Sequence, residues 1–524
     1  MNPDTHKQTL TLLQKGRQSI LGIIFGRTTL ILLLLALHFL LMFTVLMPLM
    51  EKLPGLLGGI SVFTAVMLLY ILNTGDNPSI KLSWSVIVGV LPVFGAMLYL
   101  YTRLEPGRRL ARRIQKFTME ESASHIPDPS ELMEKIRQED KDFYNLAGYL
   151  YRSGGCPVCG NTRVKYFPLG EDKFREMLIQ LEKAEKFIFL EYFAIAPSGM
   201  WDQVLEVLAR KAKEGVEVRV MYDGSCAVAS FPYSYPQELA KLGIKCKMFS
   251  PFRPFLSTHY NHRDHRKILV IDGHTAFTGG INILDRYINQ KTVYGHWKDT
   301  AVMVQGDAAR SFTLMFLQMW NYNEKERLYE PYLLPSRPDP EAEGYVIPYA
   351  DAPLDRENVG EMVYLNLLNQ AKDYVWIMTP YLILDNEMLT ALTFAAKRGV
   401  DVRLILPHIP DKKYAFALAK SHYAELNSAG VKIFEYTPGF VHAKMFLCDD
   451  TQAVVGTINL DYRSLYLHYE CAAYLYKVPA ISDIRADFEN TLKKSQAVTP
   501  ESIKNERLLT RLTGKLLKII APLM

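Results

Sequence analysis

One polar pattern occurs twice in this chain, and the duplication limits the fold more than any other feature. His265-Arg266-Lys267 is followed by Asp272 and then by Gly279-Gly280-Ile281-Asn282. His442-Ala443-Lys444 is followed by Asp449 and then by Gly456-Thr457-Ile458-Asn459. Both obey H-x-K-x4-D-x6-G-x-x-N. Both also lie at matching places in a longer repeat: Lys213-Glu214-Gly215-Val216-Glu217-Val218-Arg219-Val220 returns as Lys397-Arg398-Gly399-Val400-Asp401-Val402-Arg403-Leu404. In each copy a helix ends at glycine and the chain enters a β-branched strand. Upstream, Lys186 to Tyr192 matches Tyr374 to Pro380; downstream, Leu242 to Lys245 matches Ala429 to Lys432. Two βαβ-rich units about 180 residues apart predict an α/β fold of two tandem repeats, joined as one pseudo-twofold body.

The spacing also predicts chemistry. Residues i and i+2 of a strand share a face, so His265 and Lys267 face together, as do His442 and Lys444. The run after each lysine is apolar, as a buried strand requires. The glycines leave room for a loop, and the Asn282 and Asn459 amides can donate to an anionic oxygen. Joined, the copies gather two His, two Lys and two Asn around one pocket. That set suits a phosphodiester: cations and amides hold the phosphoryl oxygens, one histidine attacks phosphorus and the other protonates the leaving alkoxide. A third matched pair, Trp297-Lys298-Asp299-Thr300 and His468-Tyr469-Glu470-Cys471, makes Asp299 and Glu470 candidates to bond a histidine Nδ1 and fix its tautomer.

The apolar residues crowd into the first hundred positions. Thr28 to Met50, Gly55 to Leu72 and Leu82 to Tyr101 are three candidate transmembrane helices, the first with His38 as its only ionisable side chain. The first run is too long for a removable signal peptide and has no small-residue cleavage site. Basic residues flank the set on both sides: Lys7, Lys15, Arg17 and Arg27 before it, Arg103, Arg108, Arg109, Arg112, Arg113 and Lys116 after it. Three full crossings leave one basic flank outside. Either one segment is re-entrant or the denser downstream cluster sets the orientation, and the expected body is cytoplasmic. A charged fraction of 22% excludes a polytopic transporter, and 60 Lys+Arg against 55 Asp+Glu lacks the strong basic excess of a nucleic-acid binder. Six cysteines exclude a disulfide scaffold.

At the two motifs the sequence resembles the phospholipase D superfamily and, within it, the bacterial cardiolipin synthases. Tyr166-Phe167-Pro168, Phe189 to Phe193, Asn261 to Lys267 and Asn459 to Ser464 support the resemblance, which spans about residue 60 to the C-terminus. The apolar segment Thr28 to Met50 is extra to the commoner two-span pattern. The resemblance implies ping-pong phosphatidyl transfer, with phosphatidylglycerol as donor and acceptor at a lipid bilayer. It also implies His265 as nucleophile and His442 as acid and then base; the motifs themselves are symmetric. Lys267, Lys444, Asn282 and Asn459 would bind phosphate, and Asp272 and Asp449 would steady the motifs. No cofactor, metal or nucleic-acid partner is expected.

The predicted organisation is a basic segment 1–27, an anchor 28–103, a polar linker with helices 104–163, repeat one 164–333, a connection 334–352, repeat two 353–480 and C-terminal helices 481–524. Cys156-Pro157-Val158-Cys159 looks like half a zinc knuckle, but no second C-x-x-C exists to complete four ligands. His262, His274, His296 and His468 read as surface or core histidines. The last helix sets leucines at helical spacing against a basic face, which fits either a membrane surface or docking onto the body.

Overall fold

The computed structural model describes Leu40 and residues 54–103, 106–226, 230–251, 262–335, 339–355 and 357–523. Apart from Leu40, the predicted span 28–50 and the basic segment before it lie outside the described residues. The N-terminal part that is described forms helices α1 (Pro54–Leu72), α2 (Pro78–Val90), α3 (Pro92–Arg103) and α4 (Pro106–Ser122). Among the described residues, no helix is long and apolar enough to cross a membrane. The span predicted over Leu82 to Tyr101 is corrected: it is two helices, α2 and α3, of 13 and 12 residues. Pro92 has no N–H for the helical ladder, and the residue before a proline is driven out of the helical region. Leu91 accordingly adopts φ −127°, ψ 72°.

The body holds two sheets of the same design. The first has strands β1 (Thr162–Phe167), β2 (Phe187–Tyr192), β3 (Glu217–Asp223), β4 (Lys245–Phe249), β6 (Lys267–Ile271), β7 (Thr275–Gly279) and β9 (Ala301–Gly306), in the order β1-β9-β7-β6-β2-β3-β4. The second has β10 (Tyr345–Asp351), β11 (Tyr374–Met378), β12 (Asp401–Pro407), β13 (Lys432–Tyr436), β15 (Met445–Cys448), β16 (Gln452–Gly456) and β17 (His468–Tyr476), ordered β10-β17-β16-β15-β11-β12-β13 and closed by β18 (Ser495–Ala497). Strand for strand the two orders coincide, so the duplicated sequence is a duplicated topology. In each copy the three βαβ strands run parallel and the motif strand pairs antiparallel to the first of them.

A central core joins the two sheets. Phe189, Ile268 and Val302 of one sheet and Met445, Val455 and Cys471 of the other share it with Phe312, Phe316, Ile484 and Phe488, from helices Asp307–Trp320 and Ala480–Leu492. These two helices follow matching strands, so Ala480–Leu492 belongs to repeat two, beyond the boundary predicted at 480. The outer faces are covered by helices Gly170–Glu182 and Gly199–Lys213 on one side and Val359–Gln370 and Asn386–Lys397 on the other.

The connection predicted over 334–352 contains β10. Its Pro348 and acidic surroundings mimic a linker, but proline is tolerated at a sheet edge, and β10 is the edge strand beside β17. Cys159 bridges the other side of β10 through Val346, with N···O distances of 2.8 and 2.9 Å. This accounts for the C-x-x-C segment: Cys156 and Cys159 are buried, and burial pushes both thiols up to about 12.

Candidate active site

Two short strands stitch the repeats together and set the histidines. β5 (Arg263–Asp264) lies parallel to the start of β17, with Arg263 opposite His468 and Asp264 opposite Tyr469. β14 (Gly439–Val441) lies parallel to β8 (His296–Lys298) in the same manner. Each therefore carries a motif histidine onto the other repeat. The His265 amide donates to Tyr469 O at 2.9 Å, and the His442 amide to Lys298 O at 2.7 Å. The next residue along in each partner strand is a carboxylate, Glu470 or Asp299.

The side chains follow the same exchange. His265 Nδ1 lies 2.9 Å from both Glu470 oxygens, and His442 Nδ1 lies 2.7 Å from Asp299 Oδ2. Both carboxylates are fully buried. Each histidine is thus oriented through Nδ1 by the opposite copy. Lys267 donates to the His265 carbonyl and Lys444 to the His442 carbonyl. Lys444 Nζ also stands 2.8 and 3.1 Å from the His442 ring nitrogens.

The motif asparagines line the same region. Asn282 Nδ2 donates to Tyr287 OH at 2.8 Å while its Oδ1 accepts from Ala194 N; Asn459 Nδ2 donates to Ser464 Oγ at 3.1 Å. Each amide nitrogen keeps a second N–H. Asp272 and Asp449, grouped with the catalytic residues by the motif, sit at the far ends of their strands. Asp272 accepts from the amides of Glu185, Lys186 and Phe187, each at 2.8 Å. Asp449 accepts from Lys372, Asp373 and Tyr374 at 2.7–2.9 Å. Both aspartates adopt the left-handed backbone, φ 53° and 48°.

Burial sets the charge state. It lowers His265 to about 3, helped by Lys267 and opposed by Glu470, and it drives His442 well below the usual imidazole range, with Lys444 adding to the effect. Both rings are neutral near pH 7. Burial also lowers Lys267 to about 8 and Lys444 to about 7. Asp299 is raised to about 6 by burial, against the pull of Lys444 and the Thr300 N–H. Burial opposes the Glu470 charge too, but His265 and His468 hold that carboxyl well below its ordinary range.

Several site residues escaped the sequence analysis. Lys173 is fully buried, donates to Tyr192 OH at 2.8 Å and is lowered to about 7 by burial; nothing in its helical context distinguishes it from a surface lysine. Tyr287 and Trp297 pack on His442, each with a ring centroid 5.3 Å away. His468, read from the sequence as a surface or core histidine, is buried, stands in the position of Trp297 and lies 5.4 Å from the His265 ring. Thr457 donates to Glu470. Arg266 pairs with Glu191 at 2.8 Å and Arg263 donates to Ser250 O at 2.9 Å, which fixes the segment leading into His265. His265, His468 and Glu470 place ligand-type atoms within 4.8 Å of one another, a spacing a divalent cation could use, although Glu470 already serves both rings.

Two α/β repeats that exchange histidine–carboxylate pairs across a pseudo-twofold axis define a phospholipase D-like protein. The family model described as "Cardiolipin synthase, PLD-like domain" matches residues 177–320 and 364–492, and "Phospholipase_D-nuclease N-terminal" matches 62–103. A cardiolipin synthase of a Geobacillus species is 35% identical over 90% of this chain and 94% of its own length. One of Alkalihalophilus pseudofirmus is 34% identical over 86% and 90%. The chain belongs to the cardiolipin synthase family of phospholipase D-like phosphatidyltransferases. In fold it is similar to the crystal structure of phosphatidylserine synthase from Haemophilus influenzae, with a TM-score of 0.55 and 14% identity over 73% of this chain and 98% of that one.

Proposed function

We propose that the protein makes cardiolipin by metal-independent transfer of a phosphatidyl group between two phosphatidylglycerol molecules. The observation that carries this is the pair of buried, neutral histidines, each tied through Nδ1 to a carboxylate of the opposite repeat and flanked by a lysine. Lys267, Lys444 and the free N–H of Asn282 and Asn459 hold the phosphoryl oxygens. His265 Nε2 attacks phosphorus; the P–N bond forms as the P–O bond to glycerol breaks, and His442 gives its proton to the departing oxygen. The approaching phosphate anion raises the proton affinity of the otherwise neutral His442, which takes a proton from solvent as the lipid binds and enters this step as the imidazolium. His442 then takes the proton from a head-group hydroxyl of the second lipid, whose oxygen attacks phosphorus and releases His265. His265 is taken as nucleophile as the family resemblance implies; both histidines are held in the same way by a carboxylate of the opposite repeat. Asp272 and Asp449 act on the scaffold alone, by fixing the turn after each motif strand.

The chain works at the bacterial cell membrane, anchored by its N-terminal segments with the body cytoplasmic, and it has no nucleic-acid substrate. Purified protein in detergent–phosphatidylglycerol micelles with EDTA tests this. Cardiolipin and glycerol are expected in equal amounts, and either His265→Ala or His442→Ala abolishes both. Phosphatidic acid without cardiolipin would make the protein a hydrolase of the same superfamily.

A further inference from the structure

We infer that residues 78–103 form a re-entrant hairpin that dips into the bilayer from the side of the catalytic body and returns to it. The chain reverses at Leu91–Pro92, and three contacts show the two arms running back along each other. Asp76, just before α2, forms an ion pair with Arg103, the last residue of α3. Trp84 and Tyr99 meet edge to face with centroids 5.3 Å apart. Gly95 lies so close to α2 that an added Cβ would stand 2.8 Å from Ile87 O and 3.0 Å from Val88 Cα. A continuous helix would carry Asp76 and Arg103 about 40 Å apart; here they touch.

The arms measure about 20 and 18 Å, short of the ~30 Å hydrocarbon thickness. Their polarity is graded from base to tip. Asp76, Lys81 and Arg103 sit at the base, where Lys81 Nζ donates to Leu72 O at 3.1 Å. Between Lys81 and Arg103 no Asp, Glu, Lys, Arg or His occurs. Along the arms, Leu82, Val90 and Met97 are 65%, 72% and 64% exposed, apolar surface of the kind that marks contact with lipid.

The base is fastened to the body. Asn77 Nδ2 donates to Tyr466 OH at 3.1 Å, and Ser83 Oγ to Ile519 O at 2.6 Å in the C-terminal helix Leu508–Ile520. That helix packs Gly514 against Ala417 and leaves Leu508, Leu509, Leu512 and Leu516 exposed beside Arg511, Lys515 and Lys518. Its last turn meets α2 at Ser83, about 10 Å of helix rise from Asp76, near the level an in-plane amphipathic helix occupies.

This inference rests on the membrane-enzyme proposal, but its test needs no turnover. Gly75→Cys, Thr102→Cys and Val90→Cys are made singly, with Lys213→Cys marking the body, and a membrane-impermeant maleimide is applied to intact cells and to inverted vesicles. Five of the native cysteines are buried and Cys246 half-buried, so unsubstituted protein sets the baseline. Gly75→Cys, Thr102→Cys and Lys213→Cys are expected to label from one common side, and Val90→Cys only after detergent. Labelling of Gly75→Cys and Thr102→Cys from opposite sides would overturn the hairpin. So would labelling of Val90→Cys from the side away from the body, or recovery of all four variants in the soluble fraction. Hairpin labelling without cardiolipin production would refute the transferase proposal alone.

Discussion

His265 and Glu470 are 205 residues apart in sequence, yet the histidine Nδ1 lies 2.9 Å from both carboxylate oxygens. His442 and Asp299 make the reciprocal bond in the other direction. Neither repeat therefore holds a complete histidine–carboxylate pair of its own, and the two pairs exist only in the joined body. The reciprocity lets each step be attacked separately. A phosphatidyl ester with a nitrophenol leaving group needs no acid in the first step. With it, His442→Ala and Asp299→Asn are expected to keep a stoichiometric burst of nitrophenol while losing cardiolipin synthesis. His265→Ala should lose the burst, and Glu470→Gln should slow it by about 10²-fold or more, the usual scale for a misoriented base. A burst that survives in the His265 variant and disappears in the His442 variant would exchange the two roles.

The pocket's charge states predict its pH dependence. Below about 6, Asp299 takes a proton, because burial raises its carboxyl, and it stops orienting His442. Above about 7 to 8, Lys444 and Lys267 lose their protons, because burial lowers both, and phosphate is held less well. His265, lowered to about 3, stays neutral throughout and contributes no limb. The kcat/KM profile should rise through about pH 6 and fall between about 7 and 8. Lys267→Arg keeps its charge and should push the alkaline limb upward. Initial rates at limiting phosphatidylglycerol check this; an unmoved alkaline limb would separate it from Lys267.

The two motif aspartates are expected to matter for stability. Asp272→Ala leaves the amides of Glu185, Lys186 and Phe187 without their acceptor, and Asp449→Ala does the same for Lys372, Asp373 and Tyr374. The groups are partly exposed and water replaces some of the bonding, so about 1–3 kcal/mol should be lost in each case. Thermal unfolding should shift down while kcat per folded molecule stays within a few-fold. A loss of kcat by orders of magnitude at unchanged Tm would make either aspartate catalytic.

The repeat, its strands and the inward-facing histidines and lysines were legible because a strand's period and a duplicated pattern are local signals. Which carboxylate serves which histidine was not legible. Asp299 and Glu470 each follow their own motif in sequence, and only the parallel pairing of β5 with β17 and of β14 with β8 carries the histidines across. The segment from Leu82 to Tyr101 is uniformly apolar, and hydropathy has no term for direction. Pro92 alone marked the reversal, and a proline in an apolar helix is as often a kink. Pro348 misled in the opposite sense, making an edge strand look like a linker.

Gly280 and Thr457 occupy the same place in the two motifs and show why the second G in Gly279-Gly280 is there. A Cβ on Gly280 would stand 2.1 Å from Asp299 Oδ1, inside the carboxylate that holds His442. At the matching position Thr457 instead donates its hydroxyl to Glu470. Gly280→Ala must therefore displace Asp299, and turnover on phosphatidylglycerol is expected to fall by well over tenfold. Thr457→Ala removes one charge-assisted bond, about 1.5–3 kcal/mol, and leaves the Glu470–His265 contact in place. The nitrophenol ester distinguishes the two substitutions. Gly280→Ala acts through His442, so its first-step burst should recover with the activated leaving group. Thr457→Ala acts through His265, and its burst should stay slow. If Gly280→Ala is as slow with the activated ester as with the lipid, the glycine serves the nucleophile's side of the pocket and the assignment of Asp299 to the acid fails.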